Sequence, residues 1–170
     1  HSVWGNSERP AAHGNSFPIR FLGCEKAGQH VVDALRRGYR LGFVGGGDIH
    51  DGRPGDELHQ RQVQIETYRL LHRQGMMGVW ASELTREAIF DALWHRRVYA
   101  TMNHRTLLRF SINGQPMGSE IRADGRLSIH IEAASDGPIQ RIALVRGDVD
   151  AQIHETSERT ISWQTTEPPP

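Results

Sequence analysis

The fold of the second half of the chain is decided by residues 107–114, Leu-Leu-Arg-Phe-Ser-Ile-Asn-Gly. Apolar side chains at every second position predict a strand with one buried face, and Asn-Gly favours a tight hairpin turn. Further strand-like segments follow at 127–133, 139–145 and 161–163, with Asp-Gly turn signals at 124–125 and 136–137. Short strands spaced in this way predict a small antiparallel β-sandwich over residues 104–170.

The first half of the chain carries the helix-and-strand pattern of an α/β fold. Residues 29–39 have an apolar stripe at helical spacing, and the run of apolar residues in 41–44 predicts a buried strand that leads into three glycines at 45–47. Thr85 is a good N-cap for a second helix with an apolar face. The polar stretch from Asp51 to Arg73 is interpreted as a partly helical surface excursion. These patterns divide the chain near Asn103 into segments 1–103 and 104–170.

Composition excludes several classes of protein. Twenty Lys and Arg residues balance twenty Asp and Glu residues, so the formal net charge of zero gives no electrostatic reason to expect nucleic-acid binding. The single cysteine, Cys24, excludes an internal disulfide framework and a thiolate-rich metal site. With one cysteine, any metal site in this chain must use nitrogen and oxygen ligands. The apolar runs are far shorter than the roughly 20 residues needed to span a bilayer, so no membrane segment is expected.

The two ends of the sequence predict that it is part of a longer protein. It begins with His1 rather than Met and stops at Pro168, Pro169 and Pro170. Localisation is therefore left open, with periplasm and cytoplasm both compatible, because targeting signals lie at an N-terminus. The oligomeric state is also left open.

The sharpest chemical feature is Asp48-Ile49-His50, directly after the predicted strand and glycines. Side chains two positions apart on extended chain point to the same side, so a carboxylate and an imidazole converge there as metal ligands would. The alternative is that Asp48 caps a turn and His50 is a solvated loop residue, and spacing alone does not decide between them. Arg53 is a candidate for binding a phosphate or carboxylate group of a substrate, although surface arginines without such a role are common.

An ordered series of segments resembles the polymerase-and-histidinol-phosphatase (PHP) superfamily, in a poorly characterised branch. The series covers roughly residues 2–121 and includes 34–39 (Ala-Leu-Arg-Arg-Gly-Tyr), 45–55 with the Asp-x-His, 78–80, 84–93, 98–101 and 113–118. The resemblance implies that this is the C-terminal portion of a distorted, TIM-like β/α barrel, followed by the β-sandwich. It also implies two or three divalent metal ions, with Asp48 and His50 among their ligands.

The same resemblance implies a function, with two departures. The activity would be metal-dependent hydrolysis of a small phosphorylated or ester substrate by metal-activated water, with Zn, Mn or Fe as the metal. The first His-x-His motif of the superfamily is absent from this sequence, and Trp4 stands where relatives often have a histidine. The alternative is a non-catalytic module that binds a glycan or a protein and keeps an inactive remnant of the hydrolase. Metal-activated water could also cleave amides or carboxylic esters.

Overall fold

The computed structural model describes residues 5–19, 24–46, 75–102 and 104–169. In chain order the elements are a 3₁₀ turn (Ala11–His13), α1 (Val31–Arg36), β1 (Gly75–Val79), α2 (Arg86–Trp94), β2 (Val98–Met102), β3 (Leu107–Ile112), β4 (Gln115–Pro116), β5 (Leu127–Ala134), β6 (Arg141–Arg146), β7 (Val149–Glu155) and β8 (Thr160–Glu167). Most of the regular structure is therefore β-strand.

The largest sheet has four strands in the order β4-β3-β5-β8, all antiparallel to their neighbours. Its first hairpin is the one predicted from Asn-Gly: Asn113 and Gly114 have φ angles of 52° and 76°, as a type I′ turn requires. One face of the sheet is apolar, because alternate residues of β3 and β5 point the same way and Ile129 and Ile131 are almost fully buried.

The hairpin of β6 and β7 covers this apolar face. Leu144 is buried against Ile129 and Ile131, and residues of β3, β6 and β8 pack around them. Two antiparallel layers enclosing one core confirm the predicted β-sandwich in outline. The inner side of β7 is polar, since Gln152 donates a hydrogen bond to the carbonyl oxygen of Thr166 (2.8 Å) and His154 stacks on Trp163.

The strands β1 and β2 form a separate antiparallel pair connected through α2. Thr85 caps α2 as predicted, because its hydroxyl accepts a hydrogen bond from the amide of Ala88 (3.3 Å). Ala92 of α2 is completely buried, whereas Phe90 and Trp94 of the predicted apolar face are exposed. The helix therefore packs through its smallest apolar side chain.

The predicted β/α barrel is wrong. Such a barrel is built from parallel strands that close on themselves, each followed by a helix. In the described residues the strands of all three sheets pair antiparallel, and none of the sheets closes. The helix between β1 and β2 returns the chain to an antiparallel partner, which a barrel unit does not do.

The buried strand predicted at residues 41–44 is also wrong. This segment has no regular structure, and Phe43 and Val44 are 45% and 53% exposed. The glycine that follows does serve a close backbone approach, as expected: a Cβ on Gly45 would lie 2.4 Å from the carbonyl oxygen of Met76 in β1. The proposed division near Asn103 stays a prediction.

Candidate functional site

The three predicted site residues, Asp48, His50 and Arg53, lie outside the described residues. Their roles as metal ligands and as a substrate-binding residue therefore stay predictions. In the part of the chain that the structure describes, no three His, Cys, Asp or Glu side chains are grouped to hold a metal ion.

The described chain that precedes Asp48 forms one wall of a cavity of about 430 Å³. Leu41, Phe43 and Val44 line it on one side, and Ser7 and Glu8 of the N-terminal loop line it on another. Strand β2 contributes to the floor. This cavity therefore brings a hydroxyl- and carboxylate-bearing loop next to the segment that leads to the Asp-x-His.

Buried amide side chains hold the N-terminal loop in shape. Asn15 donates from Nδ2 to Oδ1 of Asn6 (2.8 Å) and to the carbonyl oxygen of Arg9 (2.9 Å), and Asn6 Oδ1 also accepts from the amide of Glu8 (3.1 Å). Both asparagines are buried. Because buried polar groups are stable only when they are hydrogen-bonded, this arrangement fixes the backbone around Ser7 and Glu8.

The same loop caps α1. The carbonyl oxygens of Ser7 and Glu8 accept from the amides of Val31 (2.8 Å) and Val32 (3.1 Å), which are among the amides that a helix N-terminus leaves without an internal partner. At the start of this helix, the amide of His30 donates to Oδ2 of Asp33 (3.0 Å) and lowers the pKa of that carboxyl. The loop and α1 therefore form one unit.

The sequence did not single out His30, although its side chain is only 5% exposed. Its Nε2 lies 3.3 Å from Oε1 of Glu25. The spacing of His30 and Asp33, an N-cap position and a carboxylate three residues later, is the one signal that could have indicated this position. The contacts fit a structural role at the helix start.

Charged side chains connect the loop and α1 to the sandwich. Arg9 donates to Oδ1 of Asp150 (2.6 Å), and Asp148 pairs with Arg36 (2.7 Å) and with His13 (2.9 Å). The hydrogen bond from Arg36 lowers the pKa of Asp148. Burial acts to raise the pKa of Asp150, but the hydrogen bond and charge of Arg9, assisted by Arg141, outweigh it and leave that pKa lowered.

A second set of polar residues lies on the outer face of the four-stranded sheet. The guanidinium of Arg109 stands over the ring of Trp80, 4.5 Å from its centroid, and lies 3.8 Å from the carboxylate of Glu132. His130 Nε2 is 3.0 Å from the hydroxyl of Ser162. The candidate residues singled out from the sequence do not include Trp80, Arg109 or His130, so the sequence did not indicate this set.

Comparison with known proteins finds relatives without an assigned function. The family described as "Protein of unknown function (DUF3604)" matches residues 35–112. An uncharacterised protein of Chlamydia pneumoniae is 32% identical over 86% of the chain, and one of Chlamydia trachomatis is 33% identical over 71%. The chain spans only 22% and 18% of the length of these two relatives. No solved structure matches the chain significantly.

These matches correct the assignment to the PHP superfamily. The family that matches is DUF3604, and neither it nor the chlamydial relatives is described as a PHP protein. The PHP assignment is therefore wrong, together with the barrel that it implied. One expectation from composition agrees with the structure: none of the described helices is long and apolar enough to cross a membrane.

Proposed function

We propose that this chain contributes a metal-binding segment to a metal-dependent hydrolase, in the simplest case a phosphoesterase. One observation carries the proposal. The segment 41–44, which forms a wall of the 430 Å³ cavity together with Ser7 and Glu8, ends four positions before Asp48 of Asp48-Ile49-His50. Zn, Mn and Fe all bind carboxylate and imidazole ligands, and these two side chains are only two positions apart in the sequence.

Each proposed residue has a separate task. Asp48 supplies a hard anionic ligand and His50 a neutral imidazole, while the guanidinium of Arg53 binds a phosphate oxygen of the substrate and orients it. A divalent metal in such a site lowers the pKa of bound water towards neutrality and stabilises negative charge on the group being cleaved. The rigid loop at Ser7 and Glu8 provides polar groups to one side of the substrate cavity.

The remaining ligands are expected from the rest of a longer protein. The chlamydial relatives are about five times as long as the part that this chain matches, which leaves ample sequence for additional His, Asp and Glu ligands. The proposal is therefore for shared ligation, in which this chain supplies two of the ligands.

The alternative is a binding module without catalysis. Two observations favour it. The described residues contain no group of three His, Cys, Asp or Glu side chains that could hold a metal ion, and the outer face of the sheet displays polar residues. The two functions differ in one measurable property, because only the hydrolase requires a metal bound through Asp48 and His50.

The test uses the longer protein that contains this chain. Its metal content and its hydrolytic activity are measured with and without the substitutions Asp48→Ala and His50→Ala. Both should lower the bound Zn, Mn or Fe, determined by mass spectrometry, and should lower the hydrolysis of p-nitrophenyl phosphate or bis-p-nitrophenyl phosphate in parallel. Asp56→Ala and His59→Ala are matched controls, because they change the same residue types at neighbouring sequence positions and leave Asp48 and His50 unchanged. Unchanged metal content and turnover in Asp48→Ala would refute the hydrolase proposal and favour the binding module.

A further inference from the structure

The outer face of the four-stranded sheet presents polar side chains in register. Across β3, β5 and β8, one row consists of Arg109, Glu132 and Ser162, and the next consists of Ser111, His130 and Gln164. These residues alternate with the core residues of the same strands, so they point away from the β6-β7 hairpin. The face opposite the core is therefore a continuous polar surface.

Arg109 is held in place on this surface by its contact with Trp80. Trp80, over which it lies, is itself fixed by a hydrogen bond from Nε1 to the carbonyl oxygen of Leu108 (2.8 Å). The Arg109 side chain is 65% exposed, and its closest carboxylate, Glu132, is 3.8 Å away, beyond hydrogen-bond distance. Within the described part of the chain, neither the Arg109 guanidinium nor the Glu132 carboxylate makes a hydrogen bond.

Two neighbouring depressions on this face share lining residues, and we call the two together the trough. One, of about 290 Å³, lies towards Ser111 and His130, and the other, of about 300 Å³, lies towards Thr160 and Ser162. Both are lined by Trp80, Arg109 and Glu132, so these three residues border both parts of the trough. An open trough of this form suits an extended chain molecule better than a compact ligand.

We propose that this trough binds a neutral oligosaccharide. The cation and the anion at its centre balance, so the trough favours neither a polyanion nor a polycation, and a bound anion would face the Glu132 carboxylate. The Arg109 donors, the Glu132 acceptors and the Ser111 hydroxyl together match ligand hydroxyl groups, which both donate and accept. The indole of Trp80 adds apolar surface for the C–H groups of a sugar ring. This activity is independent of the proposed metal site.

The test uses isothermal titration of the 170-residue chain with a panel of neutral hexasaccharides, comprising cellohexaose, maltohexaose, xylohexaose, mannohexaose and chitohexaose. At least one should bind, and Arg109→Gln and Glu132→Gln should each weaken that binding about tenfold or more, as expected when a hydrogen bond to a charged group is lost. The Arg109 and Glu132 side chains are 65% and 46% exposed, so these variants should remain folded. Trp80→Phe, which keeps a ring beneath Arg109, should weaken binding less than Arg109→Gln.

Matched controls separate the trough from the rest of the surface. Trp94→Ala removes an exposed tryptophan on α2, and Arg122→Ala removes a loop arginine, so neither should change the affinity. Failure of all five oligosaccharides to bind would overturn the proposal, as would binding that is unaffected by Arg109→Gln and Glu132→Gln. Binding of heparin that becomes stronger in Glu132→Gln would also overturn it, because the trough would then be an anion site.

Discussion

Gly118 lies where the four-stranded sheet meets the end of α2. Its φ of 89° belongs to the left-handed region that favours glycine, and a Cβ at this position would lie 2.0 Å from the carbonyl oxygen of His95. The carbonyl oxygen of Gly118 also accepts a hydrogen bond from Arg96 (3.0 Å). Conformation and space therefore both require glycine here, and the contact fixes the helix against the sandwich.

We predict that Gly118→Ala lowers the free energy of unfolding by about 2 kcal/mol or more, because backbone strain is combined with a steric conflict against the main chain. Gly125→Ala is the matched control, since a Cβ there would meet no atom within 4 Å. Urea unfolding followed by circular dichroism measures both variants. Equal stability of the two would contradict the role assigned to Gly118.

At the residue scale, the sequence indicates candidate ligands that are close together in the chain more readily than it indicates contacts between side chains that are far apart in the chain. Asp48 and His50 attract attention because they are two positions apart. Trp80 and Arg109 are far apart in sequence, and they meet where Trp80 donates a hydrogen bond to the carbonyl oxygen of Leu108. No local pattern encodes such a contact, which explains why the trough was not predicted.

At the scale of elements, α2 depends on its cap. Thr85 has the extended backbone of an N-cap residue, and its hydroxyl satisfies the amide of Ala88. We predict that Thr85→Ala destabilises the protein by about 1 kcal/mol. Ser82→Ala, in the exposed turn just before the helix, should change stability by less than about 0.5 kcal/mol. Thermal unfolding of both variants decides the matter, and equal midpoints would show that the cap is not required.

The strands show which local signals succeed. The turn of the β3-β4 hairpin was predicted because Asn-Gly favours a tight turn, and β5 because its alternation is regular, whereas the short strand β4 was not predicted. Strand β1 was missed since Gly75 and Gly78 weaken a strand pattern. Yet Gly78 is needed, because the ring of Tyr99 on β2 occupies the place of its Cβ.

Strand β7 was missed for a different reason. Its polar residues, Gln152 and His154, face the large sheet, whereas Val149 and Ile153 are 58% and 50% exposed. The usual rule that apolar residues of a strand face inward is therefore inverted here. The opposite error occurred at 41–44, where an apolar run was interpreted as a buried strand although its side chains line an open cavity.

At the scale of the whole molecule, the prediction of fold class failed for the first half of the chain and held for the second. Alternating helices and strands were interpreted as a parallel α/β arrangement, but the sequence around β1 and β2 contains nothing that distinguishes a parallel from an antiparallel return. In the sandwich, by contrast, the short turns of the β3-β4 and β6-β7 hairpins force the strands of each hairpin to be antiparallel. Connection length therefore decided where the prediction was reliable.

The ion pairs between the N-terminal unit and the sandwich predict acid sensitivity. The pKa values of Asp148 and Asp150 are lowered in the folded chain, so their contribution to stability is fully present above the unfolded carboxyl pKa of about 3.9. It is lost as the pH falls through the lower folded values. We predict that Asp148→Asn and Asp150→Asn lower the free energy of unfolding at pH 7. Between pH 5 and pH 2, that free energy should fall less in these variants than in the unsubstituted chain.

Urea unfolding at a series of pH values measures this effect, and Asp124→Asn is the control because Asp124 makes no ion pair within the described residues. A pH profile of Asp148→Asn parallel to that of the unsubstituted chain would contradict the prediction.

High salt should weaken the exposed Arg36 pair more than the pair of Arg9, whose side chain is only 9% exposed.

The Arg9–Asp150 contact also has a consequence for the order of events on the ribosome. Its two residues are separated by 141 positions. At synthesis rates of about 5–20 residues per second, Arg9 is added to the chain roughly 7–28 s before its acidic partner. Arg9 therefore has to wait for Asp150 to be made before this contact can form.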